Sequence, residues 1–94
     1  MKIRSFRHKG LRRLYEDDDA SGVPPATVPK LRNMLAFMDA MRTTAELRDL
    51  PRWGAHRLTG NRKGTWSLSV TRNWRLTFEE HENELELLDL EDYH

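Results

Sequence analysis

The side chains from which metal-free phosphodiester chemistry can be built lie in the second half of the chain: His56, Arg57, Arg75, Asp92, Tyr93 and His94. Cleaving RNA without a metal requires a base to take the 2′-OH proton, a cation for the charge gathering on phosphorus, and an acid for the departing 5′-oxygen. Histidine titrates near neutral pH and can fill the first or the third role. Arginine stays charged and matches phosphate geometry with a two-pronged fork. Tyrosine stacks on a base or donates a proton. A carboxylate such as Asp92 can fix the tautomer of a histidine. Each residue also has a purely structural reading. His56 shares strand parity with Leu58, which suits a half-buried histidine. Arg75 can pair with Glu79, Glu84 or Glu86 on a neighbouring strand, and the terminal Asp92-Tyr93-His94 can be an idle tail.

Other chemistries lack their residues. The chain has no cysteine, so thiolate catalysis and disulfides are excluded, and an all-reduced protein fits the cytoplasm. There is no dinucleotide fingerprint, P-loop or paired-histidine zinc motif. The four histidines, at 8, 56, 81 and 94, do not have metal-ligand spacing. No cofactor and no metal are expected.

The net charge of +1 conceals segregated blocks. Residues 1–13 carry six Lys/Arg and no acid, and residues 53–78 carry five (Arg57, Arg62, Lys63, Arg72, Arg75) and no acid. Residues 79–94 carry eight Asp/Glu and no Lys/Arg. Either the basic segments form a face for a polyanion, or the acidic strand neutralises them within one sheet. Ninety-four residues make one domain, 1–94, that buries about two-thirds of the unfolded chain's surface. The first residues lack the apolar core of a signal peptide and no apolar run is long enough to span a bilayer, so a membrane role is not expected.

The elements that position these residues are organised around Gly64 to Phe78, GTWSLSVTRNWRLTF. Trp66, Leu68 and Val70 alternate with Ser67, Ser69 and Thr71; Trp74, Leu76 and Phe78 alternate with Arg75 and Thr77. This spacing predicts a hairpin around Thr71-Arg72-Asn73 with one apolar and one polar face. Ile3 to Phe6 reads as a short strand. Leu11, Leu14 and Tyr15 recur at helical spacing before Asp17-Asp18-Asp19, where like charge against the helix dipole favours fraying. Thr27 to Met41 is the clearest helix, with Pro29 in its first turn and a Leu31/Met34/Leu35/Met38/Met41 stripe. Thr43 and Glu46 have capping-box spacing for a helical turn stopped by Pro51. Trp53 to Leu58 reads as a strand, and Glu84 to Leu90 as a last strand whose alternation slips at Leu87-Leu88, through a β-bulge or burial on both faces. The result is a small two-layer α+β domain, with N-terminal helices packed on a three- to four-stranded antiparallel sheet.

Three groups of residues in this order resemble one family. They are F-x-H-K-G-L-x-x-L-Y-E from Phe6 to Glu16, S-G-V-P from Ser21, and H-x-L-x-G-x-x-x-G-x-W-S-L-x-V-x-x-N-W-R-L-T-F from His56 with a terminal E-D-Y-H from Glu91 to His94. Together they are similar to HigB, the plasmid-maintenance killer branch of the RelE/ParE toxins. The resemblance implies a RelE-like fold and a type II toxin that cleaves A-site mRNA on the ribosome by 2′-OH attack, leaving a 2′,3′-cyclic phosphate. It implies catalytic roles for His56, Arg75, Asp92, Tyr93 and His94, RNA contacts by Arg57, Arg62, Lys63 and Arg72, and a hetero-oligomer with a HigA-like helix-turn-helix antitoxin. The same fold also serves a ParE-like gyrase inhibitor, or a non-catalytic toxin that acts as a regulator with its antitoxin. One position departs from the family: Thr59 stands where members often carry lysine, and Arg57, Arg62 or Lys63 can supply the charge.

Overall fold

The computed structural model describes residues 1–92. Helix α1 spans Lys9–Asp17 and α2 spans Val28–Ala40; strands β1 (His56–Arg57), β2 (Thr65–Ser69), β3 (Trp74–His81) and β4 (Glu84–Asp92) follow. The strands form one antiparallel sheet in the order β1-β2-β3-β4. Among the described residues, no helix is long and apolar enough to cross a membrane.

The hairpin holds the predicted register. Trp66 faces Phe78, Leu68 faces Leu76 and Ser67 faces Thr77. On the apolar side Leu68, Leu76 and Phe78 are fully buried, and Trp66 stacks on Phe78 with centroids 6.2 Å apart. The cover is α2, whose Leu31, Met34, Leu35 and Met38 are all buried, with Leu11 and Leu14 of α1 beside them. Each such side chain contributes about 2 kcal/mol on burial, so the face that must not reach water decides the register.

The two ends of α1 are closed by the residues that flank it. His8 caps α1 by accepting the Leu11 N–H on Nδ1 at 3.0 Å. At the other end Asp18 adopts a left-handed conformation (φ 54°) and the Asp19 N–H reaches the Arg13 carbonyl at 3.2 Å, so the three aspartates close the helix instead of fraying it. Arg32 pairs with Asp18 and offsets part of the acidic charge.

Two local expectations change and one, the capped turn after Thr43, is met. Ile3 to Phe6 is not a continuous strand; it runs parallel to β4 and touches it in two bridges, Ile3 with Leu85 and Phe6 with Leu88, because β4 is kinked between them. Residues after Thr43 form a 3₁₀ helix, Thr44–Asp49, with Glu46 Oε2 accepting the Arg42 and Thr43 N–H groups at 2.6 and 3.2 Å. The strand expected over Trp53 to Leu58 shortens to His56–Arg57. Pro51 starts a 3₁₀ turn that reaches Trp53, and Gly54 leaves it at φ 55°.

The slip at Leu87-Leu88 is a β-bulge. Thr77 faces Asp89 whereas Glu79 faces Glu86, so two residues of β4 oppose Phe78, and Leu87 takes φ 56°. β4 then continues past Leu90 to Asp92.

Candidate active site

The polar face of the hairpin floors a cleft of about 260 Å³. Cross-strand registers build it in rows. His56 lies opposite Ser67 and Ser67 opposite Thr77; one row along, Ser69 faces Arg75 and Arg75 faces Glu91. Directly opposed residues point to the same side of a sheet, so residues far apart in sequence converge here. The cleft is lined by His56, Leu58, Arg62, Ser67, Arg75, Thr77, Glu91 and Asp92. Ser67 and Thr77 are only 4% and 3% exposed, so the floor is a buried hydroxyl layer beneath charged side chains.

His56 is exposed, not half-buried against the core. Its Nδ1 lies 2.8 Å from the Gly54 carbonyl oxygen. A carbonyl only accepts, so Nδ1 carries the proton of the neutral ring and Nε2 carries the lone pair. Arg75 is half-buried; its Nη1 donates to Ser69 Oγ at 3.1 Å and to the Thr71 carbonyl at 3.2 Å. The glutamates considered as its partners are engaged elsewhere: Glu84 with Arg4 at 3.0 Å, Glu86 with Arg4 at 3.7 Å, and Glu79 with His81 at 2.9 Å. The local sheet contacts hold the guanidinium on the cleft floor.

Arg62 reaches the cleft from the 3₁₀ turn Gly60–Arg62. It grips Glu91 with both prongs, Nη1 to Oε1 at 2.7 Å and Nη2 to Oε2 at 2.5 Å. Thr77 donates its hydroxyl to the same carboxylate. The Arg62 hydrogen bonds hold the Glu91 carboxyl below its ordinary 4.5, with further lowering from Thr77 and the charges of Arg62 and Arg7 and some opposition from burial. The bulge at Leu87 is what aims Glu91 here. An unbroken strand would send it to the helix side, because one residue of slip exchanges the two faces.

The other basic candidates stand apart. Arg57 faces Trp66 in register, and its guanidinium carbon sits 5.1 Å from that ring's centroid, on the sheet face opposite the cleft. There it shares a second cavity with Arg48, Ala55 and the edge of His56. Lys63 and Arg72 are exposed and line neither cavity. Of the three cations near Thr59, Arg62 is therefore the one at the cleft. Asp92 also borders the cleft, at the end of β4, although its register partner Trp74 belongs to the apolar side of the hairpin; Tyr93 and His94 lie outside the described residues. Among the described residues, no group of three or more His, Asp or Glu side chains is arranged to hold a metal ion.

Sequence reasoning missed Glu91, Thr77 and the Gly54 carbonyl as parts of this site. The strand parity of Thr77 pointed to it, but no residue type marks a backbone carbonyl.

Residues 4–94 match the family described as RelE-like toxin of type II toxin-antitoxin system HigB. The chain belongs to that family. It is 40% identical over 94 residues to "Endoribonuclease HigB" of Proteus vulgaris, covering 98% of this chain and 99% of that one. It is 33% identical over 75 residues to "Toxin HigB-1" of Vibrio cholerae, covering 79% of each. The fold is shared with the YoeB-YefM complex from Staphylococcus aureus (TM-score 0.62, 17% identity, 100% of this chain and 99% of that one). It is also shared with a YafQ variant from E. coli (TM-score 0.59, 13% identity, 97% of this chain and 91% of that one). As a type II toxin of the RelE-like fold, the protein acts with an antitoxin partner.

Proposed function

We propose that this toxin is a ribosome-dependent endoribonuclease that cuts mRNA in the A site and thereby stops translation in the cytoplasm. The observation that carries the reading is the convergence of His56, Arg62, Arg75 and Asp92 on one cleft, together with the endoribonuclease name of the relative at 40% identity. Nε2 of His56 takes the 2′-OH proton. The 2′-oxygen then attacks phosphorus, the bond to the 5′-oxygen breaks, and a 2′,3′-cyclic phosphate remains. Arg75 binds the charge that gathers on the phosphoryl oxygens. His94 returns a proton to the 5′-oxygen, Tyr93 stacks on a neighbouring base, and Asp92 orients the tail histidine. Arg62 contacts the substrate phosphate, while Arg57, Lys63 and Arg72 hold flanking RNA phosphates. The antitoxin is a HigA-like helix-turn-helix protein that forms a hetero-oligomer with the toxin.

Primer extension on cellular mRNA after induction tests this. In-frame cuts at codon positions, absent in Arg75→Ala, support the reading. Growth arrest without such cuts, accompanied by DNA breaks, would mean a gyrase poison of the same fold.

A further inference from the structure

Arg62 sits near the tip of a loop with little else to hold it. Asn61, Lys63 and Gly64 around it are exposed, and the loop is closed at its base by the Leu58 N–H to Thr65 carbonyl bond at 2.8 Å. Its guanidinium is nevertheless fixed at both prongs by Glu91. Glu91 is in turn anchored to Thr77, a side chain buried in the sheet. The side chains of Arg62 and Glu91 are 46% and 28% exposed, and an ion pair so open to water adds little to stability. What the contact does supply is aim: a long flexible side chain is held in one rotamer at the wall of the cleft, between the hydroxyl floor and solvent. The two bonds to Glu91 use one N–H each of Nη1 and Nη2, so three of the five guanidinium N–H groups lie outside them on a side chain that lines the cleft.

We infer that Glu91 is a positioning residue, which sets Arg62 in the cleft as a second phosphate-binding guanidinium beside Arg75. This rests on the endoribonuclease reading above. Glu91 does not touch the substrate; it acts through Arg62. The chain thus draws on its acidic strand to orient a cation, and the bulge at Leu87 is the backbone device that makes the contact possible.

A double-mutant cycle separates this from other roles. The full-length chain would be assayed in single turnover on ribosomes carrying mRNA in the A site, as wild type, Arg62→Ala, Glu91→Ala and the double variant, with thermal unfolding followed in parallel. Arg62→Ala is expected to slow cleavage at saturating enzyme about 100-fold, and Glu91→Ala about 10-fold. The double variant should be no slower than Arg62→Ala alone. Glu91→Gln, which keeps an acceptor for Arg62, should fall between wild type and Glu91→Ala; it carries the test if the alanine variant does not fold. Multiplying losses in the double variant would show that Glu91 acts independently and overturn the inference. A Glu91→Ala enzyme as fast as wild type would overturn it too, and a faster one would make the carboxylate a competitor of the substrate phosphate. If wild type does not cut at all, the functional reading fails and this inference falls with it. If wild type cuts and the cycle is multiplicative, only the inference falls.

Discussion

Nδ1 of His56 lies 2.8 Å from the carbonyl oxygen of Gly54, and that contact leaves Nε2 as the basic nitrogen of the ring. The carbonyl points there because Gly54 leaves a 3₁₀ turn at φ 55°. The histidine is therefore oriented by backbone, two residues before it, and needs no carboxylate to choose its tautomer.

On the proposed mechanism, replacing His56 removes the base and little else. Because the ring is exposed, His56→Ala should leave the unfolding temperature unchanged while cleavage falls by about 10²–10⁴. Gly54→Ala should do the reverse. No atom lies within 4 Å of a Cβ added there, so the cost is the left-handed backbone alone, about 1 kcal/mol, with most activity kept. Denaturant unfolding and cleavage rates on the two variants check both halves. An inactive Gly54→Ala protein of unaltered stability would contradict this assignment.

Gly10 gives a second prediction. It lies inside α1, where alanine ordinarily stabilises by about 1 kcal/mol. Here a Cβ would fall 2.0 Å from the carbonyl oxygen of Gly22. The backbone of the helix rests directly on the loop before α2, and neither can yield as a flexible side chain would. Gly10→Ala should therefore destabilise by about 2–3 kcal/mol in urea unfolding. A stabilised variant would mean that this contact is not made in solution.

The pH dependence of stability follows from the sign of the Glu91 shift. Its folded pKa lies below the ordinary 4.5, chiefly through Arg62. Such a carboxyl contributes stability that is fully present above 4.5 and is lost as the pH falls through the folded value. Glu91→Gln should flatten part of the acid limb of a melting-temperature curve below 4.5 and leave the curve above it parallel to wild type. Asp19 and Glu46, both lowered by backbone N–H groups, stay in the variant, so some slope persists. An acid limb identical in the two proteins would show that the Glu91 contacts with Arg62 and Thr77 contribute nothing measurable to acid stability.

Much of the architecture could be read from the residues. The alternation of Trp66, Leu68 and Val70 with hydroxyls dictates the β2–β3 register, since only one register hides those side chains. The stripe on α2 names its buried face, and the broken alternation at Leu87-Leu88 marks the bulge. The pairing of residues 2–8 with β4 is non-local and leaves no periodic trace in so short a segment. Nothing in the sequence marks His8 as a helix cap, yet its Nδ1 accepts the Leu11 N–H. Within the site, His56, Arg75 and Asp92 were legible as a set because the motif keeps their types and order. The separation of Arg57 from Arg62 was not, because it depends on which residue of a two-residue strand faces Trp66. The Arg62–Glu91 contact was hidden for a related reason: the bulge, not the spacing of acids along β4, decides which glutamate meets the loop.

Metal-free cleavage of A-site mRNA by the His56–Arg75 cleft has a direct biochemical signature. It is tested most directly by incubating purified toxin, in the presence of a chelator, with ribosomes holding a defined A-site codon and identifying the new RNA ends. A single cut within that codon is expected, leaving a 2′,3′-cyclic phosphate and a 5′-hydroxyl, lost in His56→Ala and absent when the same mRNA is offered without ribosomes. Intact mRNA with wild-type toxin, or equal cutting by His56→Ala, would contradict it.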